Sequence, residues 1–270
     1  MNSFRPFFLQ SDKGRRFLIH HPCTGTCKGS VLYVHPFAEE MNKSRRMAAM
    51  QARALAKIGY TVLLIDLYGC GDSSGDFKDA SWEIWKEDLK LALDWLKTQH
   101  DLPVTLWGLR LGALLALDFS NDADFPPEKI VLWQPVQSGE TYLAQFLRLR
   151  LANAMIAGKE KVSLQDLKRE LASNGTLEIA GYDLPHELAE SISRLKLEEL
   201  GRPGVPRHWL ETMPDANAEL SPAASRIVGA WQNRGIPVQV HKTQGEPFWS
   251  TQEITDCMDL ITKTTQIFAV

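Results

Sequence analysis

A chain of 270 residues with a formal net charge of −3, 44% hydrophobic and 23% charged residues has the makeup of one globular α/β domain with room for an insertion. That composition argues against disorder, and the slight acidity against a nucleic-acid-binding surface, which would carry a basic stripe. Phe7-Phe8-Leu9 is too short for a secretory signal and no later run is long enough for a bilayer, so a cytoplasmic protein is expected, with Cys23, Cys27, Cys70 and Cys257 as reduced thiols.

Phe7-Phe8-Leu9 and Phe17-Leu18-Ile19-His20 flank Ser11-Asp12-Lys13-Gly14, which predicts an antiparallel hairpin with glycine in its turn. His20, His21, Cys23 and Cys27 offer metal donors, but their spacing fits no standard zinc knuckle, so an ordinary loop without metal is expected. Ser30 to Val34 reads as a strand. Lys43 to Ile58 reads as a helix with Met47, Met50, Ala54 and Ile58 on one face, ended by Gly59. Thr61 to Ile65 is a second buried strand, and Ser81 to Leu96 a helix whose Trp82, Trp85, Leu89, Ala92 and Leu96 form one stripe. The strand Val104 to Trp107, the helix Leu111 to Phe119 and the strand Ile130 to Trp133 follow. Repetition of β-α-β implies a mostly parallel sheet with helices on both faces.

That order breaks at Gln137. Residues 137–204 read as a helical cap insertion with helices at Tyr142 to Ala157, Ser163 to Leu171 and Pro185 to Leu200, interrupted by the β-like Thr176 to Ile179. Residues 1–136 and 205–270 then make the core, the latter with a strand at Arg207 to Leu210, a helix at Pro222 to Asn233, a strand at Ile236 to Val240 and a helix at Thr251 to Thr264.

Three landmarks occur in a telling order: His35-Pro36-Phe37 after a strand, the turn Asp66-Leu-Tyr-Gly69-Cys-Gly71-Asp-Ser73-Ser-Gly75, and Gly108-Leu109-Arg110-Leu111-Gly112 between strand and helix. Together they resemble the α/β-hydrolase superfamily over nearly the whole chain, with a histidine-led oxyanion loop, a DxxGxGxSxG turn and a nucleophile elbow. More narrowly, Leu106 to Gly112 and Gly245-Glu246-Pro247-Phe248-Trp249 are similar to the hydrolases encoded with bacterial exosortase A systems. That resemblance implies a setting in exopolysaccharide production, with exosortase-system proteins as partners.

The elbow departs from its pattern, because arginine stands where the serine nucleophile belongs. The histidine position after the last strand reads Glu246, and His241 lies too early to replace it. Asp215 is the first candidate for the acid and Glu211 the second. Arg110, Glu246 and Asp215 thus occupy the catalytic positions without a hydroxyl or thiol beside an imidazole. A guanidinium at a helix start needs a compensating anion, and Glu246 is the expected partner. In one reading this pair merely fills the old site. In another, Arg110, the Leu111 amide and His35 hold a carboxylate or phosphate beside Phe37, with Trp133 and Trp249 either lining the pocket or packed in the core. Asp66, its glycines and Ser73 are assigned to turn architecture, Cys70 to an inert thiol, and Trp82, Trp85 and Trp95 to packing.

Three functions are consistent with these residues. The first is a protein that binds a small anionic or acyl-bearing ligand without cofactor and with little serine-hydrolase activity. The second is an ester or thioester hydrolase in which Glu246 or Asp215 activates water and Arg110 stabilises the oxyanion. The third is a scaffold for envelope-assembly proteins, which would show an apolar patch on the insertion.

Overall fold

The computed structural model describes residues 4–121, 126–156, 162–215 and 217–269, with side chains 153–156 left aside. β1 (Arg5–Ser11) and β2 (Gly14–His21) form the expected hairpin, and β2 continues antiparallel against β4 (Tyr60–Ile65). From there the sheet is parallel through β3 (Gly29–Val34), β5 (Val104–Leu109), β6 (Lys129–Trp133), β9 (Arg207–Met213) and β10 (Val238–Gln244), giving the order β1-β2-β4-β3-β5-β6-β9-β10. This is the α/β-hydrolase fold.

Central strands apolar on both faces sort their side chains by parity. Leu32, Val34, Leu63, Ile65, Leu106, Ile130 and Leu132 face one core, formed with α2 (Trp82–Gln99), α3 (Leu111–Phe119) and α7 (Pro222–Asn233). Their neighbours Val31, Tyr33, Val62, Trp107, Leu109, Val131 and Trp133 face the other, formed with α1 (Ala38–Lys57) and α8 (Met258–Ala269). Between β6 and β9 the chain makes α4 (Gly139–Ile156), α5 (Leu164–Asn174), the hairpin β7 (Thr176–Ile179) and β8 (Tyr182–Pro185), and α6 (His186–Ser193). The helix end expected at Ala157 lies outside the described residues.

Among the boundaries that differ from the sequence reading, three have a clear physical reason. Helix α1 starts five residues early, at Ala38 (43 − 38 = 5), and so takes Glu39 and Glu40 into its first turn. Helix α6 stops at Ser193, because the Leu197 amide bonds to the Gln137 carbonyl (3.0 Å) and draws the chain away. Helix α8 begins only at Met258: Ile254 is 76% exposed, so the stretch from Thr251 lacks a buried face. Among the described residues no helix is long and apolar enough to cross a membrane.

Neighbouring strands β9 and β10 place His208 Nδ1 at 3.1 Å from His241 Nε2. Burial first, then His241 and Lys129, push His208 down to about 4, and burial and Lys263 lower His241. An imidazole whose folded value lies below its unfolded value binds its proton first in the unfolded chain, so its stabilising contribution is present above about 6.5 and is lost as pH falls toward 4. Urea unfolding at stepped pH is expected to show stability declining across that window, and His208→Gln to remove about 1–2 kcal/mol of the decline after solvent screening. An unchanged slope in the variant would refute this assignment.

Candidate functional site

Arg110 sits at φ 54°, ψ −119°, between the end of β5 and the start of α3. An L-residue is strained there, and the surrounding backbone holds it. A Cβ added to Gly108 would approach the Ala113 Cα and the Gly112 carbonyl oxygen at 2.5 Å, and one added to Gly112 would meet the Val34 carbonyl oxygen at 2.2 Å. Both glycines are therefore required to seat α3 against β5 and β3. The result is a tight strand-to-helix turn with arginine at its apex.

The guanidinium is not held by Glu246. Arg110 Nε donates to Glu40 Oε1 at 3.1 Å, and the pair is about one-fifth exposed on each side. Tyr142 on α4 donates its hydroxyl to the other carboxylate oxygen at 3.0 Å. The rings of Tyr142 and Trp249 lie 5.7 and 5.6 Å from the guanidinium carbon, within cation–π reach. Burial pushes the Glu40 carboxyl up; Arg110 and Tyr142 oppose that shift, as does the positive end of α1. Among the described residues the Nη1 and Nη2 nitrogens meet no acceptor. Arg110 lines two cavities of about 340 Å³ each. One is walled by Phe37, Phe146, Leu149 and Trp249, the other by Gln134, Gln137, Ser138, Gln145 and Arg226.

Of the other expected residues, Glu246, Asp215, His35 and Trp133 make no contact with the Arg110 guanidinium among the described residues. Glu246 is exposed, and its carboxylate has no partner among the described residues. Asp215 is exposed too, and accepts a hydrogen bond from the Asn217 amide at 2.9 Å. Glu211 is buried, accepting from Trp209 Nε1 (2.6 Å) and Gln134 Nε2 (3.2 Å), and burial raises its carboxyl. His35 is buried with both ring nitrogens engaged: Nε2 accepts from the Leu67 amide at 3.2 Å, so Nδ1 carries the proton and donates to the Pro36 carbonyl. Burial lowers its pKa, keeping it neutral and closed to an anion. Trp133, expected in the pocket, projects to the opposite core and donates to Thr264 Oγ1 at 2.8 Å, because its parity on β6 is that of Val131. Phe37 and Trp249 do line a cavity, and Leu111 is buried beside Arg110 at the head of α3.

Glu40, Tyr142 and Gln134 were missed in the sequence. The available signal for Glu40 was an acidic pair just after His35-Pro36-Phe37, the composition of a helix's first turn. The Asp66 turn is architectural as expected: Asp66 Oδ2 accepts from the Asp72 amide and from Arg45, and Ser73 Oγ accepts from the Phe17 amide.

Glu40→Gln is expected to destabilise the protein by about 1–3 kcal/mol, since it leaves a largely buried guanidinium without its counter-charge, whereas Glu246→Gln changes stability by less than about 0.5 kcal/mol. Equal effects in denaturant melts would contradict this choice of partner.

Comparison with known proteins agrees with the fold. Ferulic acid-bound Est1E from Butyrivibrio proteoclasticus superposes with a TM-score of 0.71 at 15% identity, covering 97% of both chains. A thermostable carboxyl esterase from Bacillus coagulans gives 0.66 at 15% identity, over 99% of this chain and 97% of the other. The mouse alpha/beta hydrolase domain-containing protein 10 gives 0.58 at 15%, over 98% of each. No protein of curated function matches the sequence. The family model described as serine aminopeptidase, S33 matches residues 25–240, from the β2–β3 loop to the first residues of β10, with His35 to Phe37 and Gly108 to Gly112 inside the match. The chain belongs to that family of α/β hydrolases, with an arginine at the turn between β5 and α3.

Proposed function

We propose that this α/β hydrolase has exchanged serine–histidine chemistry for an arginine-centred site that binds a small acyl-bearing carboxylate, with residues 137–204 acting as the cap. The observation that carries this reading is the guanidinium itself: Nε is anchored by Glu40, while Nη1 and Nη2 are left without acceptors beside two cavities. A planar fork fixed at one edge is prepared to grip a carboxylate with the other. The cavity walled by Phe146, Leu149 and Trp249 suits an acyl chain, and the one with Gln137, Ser138 and Arg226 suits a polar head.

An active ester or thioester hydrolase is less well supported. Glu246 and Asp215 are exposed, and Glu40 is occupied on both oxygens by Arg110 and Tyr142. A scaffold would need a contiguous apolar patch, yet among the described residues of 137–204 the large exposed hydrophobics are Leu149 and Val162. The cytoplasmic setting and the exosortase-system partners remain part of the proposal, supported by the resemblance at Leu106 to Gly112 and Gly245 to Trp249.

Calorimetric titration with octanoate is the direct test. Arg110→Ala should weaken binding about 10- to 100-fold, the worth of a charge-assisted hydrogen-bond pair, while octanol binds weakly to both proteins. Fluorophosphonate should label neither form at the elbow. Octanoate affinity unchanged by Arg110→Ala would overturn the proposal, as would turnover of p-nitrophenyl octanoate that disappears in both Arg110→Ala and Glu40→Gln.

A further inference from the structure

At the end of the sheet opposite Arg110, Cys23 and Cys27 of the β2–β3 loop meet His100 of the α2–β5 loop, with their ligand atoms all within 4.8 Å of one another. Cys27 lies just before β3 and His100 just before β5, whereas His35 and Arg110 follow the far ends of those strands. Six residues of strand, about 20 Å at 3.3 Å per residue, therefore separate this cluster from the cavities described above. The loop is pinned at both ends, with the Thr24 amide donating to the Ala56 carbonyl (2.8 Å) and the Lys28 amide to the Gly59 carbonyl (2.7 Å). Both thiols are half-buried and free of any disulfide. Burial and the facing Cys27 sulfur push the Cys23 thiol up to about 11.

We propose that Cys23, Cys27 and His100 form a binding site for a thiophilic divalent cation of the zinc class, with water as the fourth ligand. Two thiolates and an imidazole are the donors such an ion selects. Tetrahedral bonds of about 2.3 Å to sulfur and 2.0 Å to nitrogen set donor separations of roughly 3.5–3.8 Å, which side-chain rotation reaches from the present arrangement. Uptake releases one proton from each cysteine to solvent and leaves His100 neutral. The sequence spacing argued against a metal here because the third donor comes from the far end of α2, brought in by the fold. A bound ion clips the β2–β3 loop to that helix end, so its effect falls on stability and not on chemistry at Arg110.

The test uses the full chain, reduced and stripped with chelator, titrated with Co²⁺ and then Zn²⁺. One equivalent of Co²⁺ should give a thiolate-to-cobalt charge-transfer band that Zn²⁺ bleaches, and Zn²⁺ should raise the melting temperature. Cys23→Ser and Cys27→Ser should abolish the band, and His100→Gln should weaken Co²⁺ binding by at least about tenfold. No band at excess Co²⁺, or one that survives either serine substitution, overturns the proposal. Should a serine variant fail to fold, alkylation of the wild-type protein decides: Zn²⁺ must protect Cys23 and Cys27, identified by mass spectrometry, and their full labelling in its presence is the overturning result.

Discussion

A guanidinium on the strained residue of a strand-to-helix turn has to be held by an anion, and here Glu40 is that anion. Much of the site follows from this contact. It ties the elbow after β5 to the first turn of α1, and Tyr142 extends it to α4 by donating to the carboxylate's second oxygen. The segment between β6 and β9 is therefore fastened to the core at the place where an α/β hydrolase would carry out acyl transfer. Tyr182 of β8 adds a second tie, accepting from Asn42 of α1 at 3.0 Å.

The position of that contact depends in turn on the sheet. Parity along β3, β5 and β6 sends alternate side chains into two cores, and both glycines of the elbow are needed for α3 to pack against β5 and β3. Such packing leaves little freedom for the residue between them. The backbone at position 110 is set by the glycines on either side and not by the arginine side chain.

Most of the strands were legible because a buried parallel strand writes itself as a short unbroken apolar run between turn residues, as Val104 to Trp107 and Ile130 to Trp133 do. The start of α1 was not, because Ala38 enters the helix at φ 55°, a conformation that no propensity suggests for alanine. Missing that turn meant missing Glu40. Trp133 was misplaced for a related reason: a strand's apolar run does not reveal which residue faces which core until a neighbouring helix has been assigned to a side.

Local order along the chain determined the class of fold and the glycine-flanked turn that carries Arg110, since each is written in consecutive residues. What surrounds the arginine was decided only in three dimensions. Glu246 and Glu40 are both acidic, and their positions in the sequence favoured the first; the fold leaves Glu246 in solvent and brings Glu40 to 3.1 Å. The same holds at the other end of the sheet, where Cys23 and Cys27 acquire His100 as a neighbour. An ion pair or a donor cluster depends on distances between segments far apart in sequence, and those distances exist only once strands and helices have packed.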